Sequence, residues 1–191
     1  MELYVGINKL LTAIGETTID VDFSLENADP ASDVGRAKAL LEATNRTVQL
    51  QGWYFNKSKD ITFVPDTEGY IALGTHILSV IGTTGNYIEK DHKLFDVTAY
   101  SFVFDKPVHC DIITLVPFDD VPATVVEWVV REAAVEFYNN VVGDTTELAQ
   151  LKEAAQRTYV LVQKEENLHT KANLISGSRV VSRNRLPTGI R

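Results

Sequence analysis

The chain has 191 residues, of which 45% are hydrophobic, and a formal net charge of −8. That length supports one compact unit, or one with a modest insertion, and a sizeable core without covalent staples. The single cysteine, Cys110, excludes an intrachain disulfide and a cysteine-rich zinc site. No stretch approaches the roughly 18 consecutive apolar residues of a membrane span. The N-terminal residues, with Glu2 and Lys9 among the apolar ones, do not read as a secretion signal, so a soluble chain made in a reducing compartment is expected.

Charge is unevenly distributed. Lys171, Arg179, Arg183, Arg185 and Arg191 lie in a C-terminal stretch, 171–191, that holds no Asp or Glu. Five of the 18 basic residues are therefore in the tail, which leaves 13 basic against 26 acidic residues in 1–170, a net of −13. An acidic body repels nucleic acid, and a basic tail on such a body reads either as a docking arm or as a solvated tail.

Leu3, Ile7, Leu10, Leu11 and Ile14 recur at helical spacing and Gly15 is placed to end a first helix. The acidic stretch 16–29, with Asp20, Asp22 and Glu26, reads as a surface loop. Asp29-Pro30 predicts the start of a second helix, Asp29 as cap and Pro30 in the first turn. Val34, Ala37, Leu40, Leu41, Thr44 and Val48 mark its face, and it should stop at Gly52.

The period then changes. Trp53, Tyr54 and Phe55 open a region rich in aromatic and β-branched residues. Strands are predicted at 60–64, 77–81, 87–89, 93–96, 101–104 and 108–116, separated by Pro65-Asp66, Gly82-Thr83-Thr84-Gly85-Asn86 and Asp105-Lys106-Pro107. Short strands and tight turns imply antiparallel pairing. Pro122 opens a third helix, apolar on more than one stripe and so expected to be the most buried, which ends at Gly143. Asp144-Thr145-Thr146-Glu147 has a capping-box pattern and predicts a fourth helix to about Leu168. Its buried face would carry Leu148, Leu151, Ala155, Tyr159 and Val162, and its outer face Lys152, Glu153, Arg157, Lys164, Glu165 and Glu166.

The expected fold class is thus α+β: a four-helix bundle-like domain, 1–52 plus 119–170, carrying an antiparallel β-rich insertion at 53–118, followed by the basic tail 171–191.

Little in the chain suggests chemistry. His76, His92, His109 and His169 do not form the helical pair of a zinc protease. His109 and Cys110 are neighbours on a predicted strand and so face opposite ways, which makes Cys110 a small core residue. Gly82 to Gly85 lacks the lysine and following helix of a phosphate cradle and reads as a turn. Asp20 with Asp22, or Asp119 with Asp120, could in principle hold a cation or act as an acid–base pair, but spacing of this kind is common on solvated loops. No basic residues directly precede Trp53, Tyr54 and Phe55 and the body is acidic, so packing explains them better than stacking on nucleic acid. No catalytic residue, metal site or cofactor is assigned.

Four segments, in order, carry a resemblance. Ile7-Asn8-Lys9-Leu10-Leu11-Thr12-Ala13-Ile14-Gly15-Glu16 closes a helix in Ile-Gly-Glu. Asn27-Ala28-Asp29-Pro30-Ala31 precedes the second helix, and Gln49-Leu50-Gln51-Gly52-Trp53-Tyr54-Phe55-Asn56 closes it. Ile113-Thr114-Leu115-Val116-Pro117-Phe118-Asp119-Asp120-Val121-Pro122 leads into a helix with Ala133-Ala134, Phe137 and Gly143-Asp144. Over residues 5–170 this series resembles the tail tubular protein A family of short-tailed bacteriophages, the head-to-tail adaptor or gatekeeper ring.

The resemblance implies a virion tail protein, assembled in the host cytoplasm, with a structural and not an enzymatic role. It implies a homo-oligomeric ring, dodecameric in the family, between the portal protein and the tail nozzle of tail tubular protein B. Tail fibres would attach nearby, and double-stranded DNA would pass through the channel without sequence-specific binding. On that reading Asp20, Asp22, Glu26, Asp119 and Asp120 are acidic surface or channel residues, and Arg179, Arg183, Arg185 and Arg191 form a portal-docking tail that orders on docking. Two other readings stay open from the residues: a glycan-degrading tail component using a carboxylate pair, and a DNA-packaging accessory factor.

Overall fold

A computed structural model describes the backbone of residues 1–177 and the side chains of residues 1–170. Arg179, Arg183, Arg185 and Arg191 lie outside the described residues. The fold is α+β, in the order α1 (Leu3–Ala13), α2 (Asp33–Gln49), β1 (Lys57–Phe63), β2 (Ile77–Gly82), β3 (Tyr87–Lys90), β4 (Lys93–Asp96), β5 (Val108–Thr114), α3 (Ala123–Val141) and α4 (Thr146–Gly177). All the strand pairs are antiparallel, as the short turns implied.

The helices form where the apolar spacing placed them. Ile7, Leu10 and Leu11 of α1 are buried, and the helix ends with Gly15 N–H donating to Thr12 O and Glu16 N–H to Leu11 O, which satisfies two last-turn carbonyls. Gly6 lets α2 approach, since a Cβ there would lie 2.8 Å from Leu41 Cδ2. Helix α3 contributes Val125, Val126, Trp128, Val129, Val130, Ala133, Ala134, Phe137 and Tyr138 to the interior, the largest share of any helix among the described residues. It packs against all three other helices, so its apolar surface is needed on more than one side.

Two element starts differ from expectation. Helix α2 is capped by Ser32, whose Oγ accepts from Gly35 N–H at 3.1 Å. Asp29 and Pro30 stand one turn earlier, where Asp29 Oδ1 accepts from Ala31 N–H and Asp29 O accepts from Ser32 Oγ. The Asp-Pro pair therefore builds the turn that delivers Ser32 rather than the helix itself. Likewise α4 is capped by Thr145, whose Oγ1 accepts from Leu148 N–H, and not by Asp144. The helix continues past Leu168 to Gly177.

The strands form a three-stranded sheet in the order β1-β5-β2 and a separate β3-β4 hairpin. Strand β1 begins three residues earlier than expected, and the ladder with β5 is irregular between Ser58 and Ile61, where Asp60 takes φ 55° and its N–H donates to Asp111 Oδ1. The β3-β4 turn has Asp91 and His92 both at positive φ, the geometry that matches hairpin twist. Residues 101–104 do not form the expected strand: only an isolated bridge joins Ser101 to Asp96. Asp96 Oδ1 accepts instead from the N–H groups of Thr98 and Ala99, turning the chain back on itself. Strand β5 stops at Thr114, because the next residues leave the ladder to meet α2.

Two hydrophobic clusters result. One joins α1, α2, α3 and Val162 of α4 with Trp53, Phe118 and Val121. The other comprises Ile71, Leu73, Val80, Leu94, Phe104, Val108 and Cys110.

Candidate functional site

The helical and β parts meet at a buried polar junction. Gln49, fully buried at the last position of α2, donates from Nε2 to Val116 O at 2.9 Å and accepts on Oε1 from Val116 N–H at 2.8 Å. Its Nε2 also donates to Asn45 Oδ1, one helical turn back. Asn56, equally enclosed, donates from Nδ2 to Gln49 O and Thr114 O and accepts on Oδ1 from Trp53 N–H. Two amide side chains thus satisfy the backbone where α2 ends and where β5 departs, which is what burial of those groups demands. Gly52 makes the turn between them: it has φ 75°, and a Cβ there would fall 2.7 Å from Ile113 Cδ1.

The aromatic run that follows is structural. Trp53 is buried, donates from Nε1 to Val48 O, and meets Trp128 edge-to-face with centroids 5.6 Å apart. Trp128 in turn packs on Tyr159 of α4. Tyr54 fastens the far part of α4: its N–H donates to Glu166 Oε2, its hydroxyl donates to Glu165 Oε1 at 2.7 Å, and its ring stacks on His169 at 4.0 Å. Burial, then the hydrogen bond and charge of Glu165 and the charge of Glu166, push the Tyr54 phenol well above its usual range. Glu165 and Glu166, expected on the solvated face, therefore turn inward to Tyr54. Single-strand stacking is not open to Trp53, which is enclosed, and the Tyr54 ring already carries His169.

The carboxylates singled out from the sequence lie in two separate segments. Asp20, Asp22 and Glu26 are exposed in the loop between α1 and α2, and Asp119 and Asp120 are exposed in the short 3₁₀ turn Phe118–Asp120 before α3. None takes part in a salt bridge among the described residues. No group of three or more His, Cys, Asp or Glu among the described residues is arranged to hold a metal ion. Cys110 is fully buried, and burial, then the charge of Asp111, raises its thiol pKa. No helix among the described residues is long and apolar enough to cross a membrane.

Open grooves mark the surface of the described residues. One of about 830 Å³ runs between α2 and the segments at His76 and Leu115 to Asp119. Another, about 550 Å³, lies between α2 and α3 over Trp128.

A family model described as tail tubular protein matches residues 5–172, a span that includes both hydrophobic clusters and most of α4. The chain belongs to the tail tubular protein family. Among curated proteins it is similar to tail tubular protein A of Klebsiella phage KP34, with 26% identity over 163 residues, 84% of each chain. It is accordingly a component of the virion tail. In this tail tubular protein the segment from Gln49 to Asn56, which carried much of the resemblance, is the stretch that builds the junction. The motif is legible in the sequence, whereas Asn45, Gln49 and Asn56 as its working parts are not. The available signal was Asn45 and Gln49 one turn apart, adjoining the predicted buried face.

Proposed function

We propose that this chain is a subunit of an adaptor ring that joins the portal to the tail nozzle and lets double-stranded DNA pass through its channel, in a structural and not a catalytic role. The single observation that carries the reading is the family match across residues 5–172, which spans the helices and the strands alike. The charge distribution supports it: an acidic wall repels phosphates, so a duplex slides past without sticking. Asp20, Asp22, Glu26, Asp119 and Asp120 are the proposed contributors to that wall, exposed and without ion-pair partners among the described residues. The partners proposed are further copies of the chain in a ring of twelve, the portal, the nozzle protein tail tubular protein B, and the tail fibre. The basic stretch with Arg179, Arg183, Arg185 and Arg191 is proposed to dock on the portal, on the strength of its charge alone.

The test is to size the full-length chain alone and after mixing with intact portal rings of its own phage. A ring-sized assembly bound to the portal supports the reading, and absence of association overturns it. Deleting residues 176–191 should weaken portal attachment while leaving the thermal unfolding of the remainder unchanged.

A further inference from the structure

Helix α4 leaves apolar side chains open to solvent, two of them, Leu161 and Leu168, two turns apart along one line. Val160, Leu161 and Leu168 are 53%, 56% and 62% exposed, on the side turned away from the buried Leu148, Ala155 and Val162. Leu161 sits between two exposed cations, Arg157 one turn before it and Lys164 one turn after. The Arg157 guanidinium pairs with Glu153 of the same helix, a solvent-exposed contact that exchanges at little cost.

The groove between α2 and α3 has the opposite character. It is about 550 Å³, has Leu40, Ala43, Trp128 and Val135 among its apolar lining, and is rimmed by Glu132 and Glu136, with no Lys or Arg lining it. The two glutamates are one turn apart on α3 and line that wall of the groove, where Glu132 Oε1 also accepts from Trp128 Nε1.

We propose that these are the two halves of one contact between neighbouring copies of this chain, the α4 stripe of one copy lying in the α2–α3 groove of the next. Leu161 fills the apolar floor, and Arg157 and Lys164 meet Glu132 and Glu136. The proposal rests on the ring reading and says which faces form it. The occupant is argued from complementarity: a helix with apolar anchors and neighbouring cations, and an apolar groove with carboxylates along one wall, occur on the same molecule. Because the two patches differ, the contact is head-to-tail, and each copy leaves one of each patch open for the next, which closes into a ring when the rotation permits. The acidity of the chain makes such local pairing favourable. Copies with a net charge of −8 repel one another, and a basic stripe placed on an acidic rim offsets that at the point of contact.

The experiment uses the full-length chain with intact portal rings and reads ring formation by particle mass, with thermal unfolding of each variant as the folding control. Glu132→Lys with Glu136→Lys, and separately Arg157→Glu with Lys164→Glu, should each weaken ring assembly by more than about tenfold. All four substitutions together should restore it. Leu161→Asp, at an exposed position that leaves the core untouched, should abolish assembly without lowering the unfolding temperature, and it carries the test should the groove variants fold poorly. If wild-type rings form and these variants assemble equally well, or the fourfold variant is not rescued, this assignment of surfaces is overturned while the ring reading stands. If the wild-type chain forms no ring with the portal, both fall.

Discussion

The side-chain amide of Gln49 and the backbone of Val116 form a reciprocal pair of hydrogen bonds, Nε2 to O at 2.9 Å and N–H to Oε1 at 2.8 Å. An amide side chain here does what a neighbouring strand would do. It closes the backbone of the segment leaving β5 against the end of α2, in a place where no water reaches Gln49. The pair therefore couples the helical cluster to the sheet.

Gln49→Leu, of similar volume, would leave both Val116 groups and the Asn45 carbonyl without a partner. It should cost about 3 kcal/mol, read as a drop in the thermal midpoint of about 6–12 °C for a chain of this size. An unchanged midpoint would show that the junction does not contribute to stability.

Gly52→Ala places a side chain at φ 75° and forces Ile113 away. About 2 kcal/mol of destabilisation is expected from strain and displacement. Urea unfolding measures it, and a stabilised variant would contradict the turn geometry described.

Tyr54 gives a signature in pH. Its phenol pKa is raised in the folded protein, so below pH of about 10 the group is neutral in both states and contributes no slope. Above that pH the unfolded chain loses the proton first, and folded stability falls as pH rises toward the folded value. Tyr54→Phe should remove that portion of the alkaline loss while costing about 1 kcal/mol at neutral pH from the lost bond to Glu165. Parallel unfolding curves for both proteins across the alkaline range would count against the clasp.

Glu127 joins α1 to α3. Burial pushes its carboxyl up, but the hydrogen bond and charge of Lys9 and the charge and hydrogen bond of Arg131 outweigh that and hold it below the ordinary range. Its contribution is present above pH of about 4.3 and is lost as pH falls through the lower folded value. The three side chains are 30–42% exposed, so Glu127→Gln should cost only about 0.5 kcal/mol at neutral pH, less at high salt. A variant with the wild-type acid limb would show that Glu127 is not held by Lys9.

Much of this architecture is legible in the sequence because burial follows periodicity. The apolar residues of α1 and α3, the alternation that buries Cys110 beside half-exposed His109, and the glycine stops at Gly52 and Gly143 all follow from spacing alone. The departures have local causes. Asp29-Pro30 is a strong helix-start signal, but Ser32 competes for the cap and wins because its Oγ bonds both Gly35 N–H and Asp29 O. Residues 101–104 have strand propensity but lack a ladder partner, since the turn at Asp96 consumes the neighbouring backbone and Tyr100 takes φ 52°. The polar junction was hidden because glutamine and asparagine on a helix usually face water. Glu165 and Glu166 likewise have the spacing of a solvated face, and their partner, Tyr54, is more than a hundred residues away in sequence.

The most direct test of the adaptor reading is electron microscopy of intact portal rings incubated with the full-length chain. The account predicts an additional ring of density, coaxial with the portal and open at its centre, on the face where the tail begins. Portal rings without added density, or single copies bound at scattered positions on them, would contradict it.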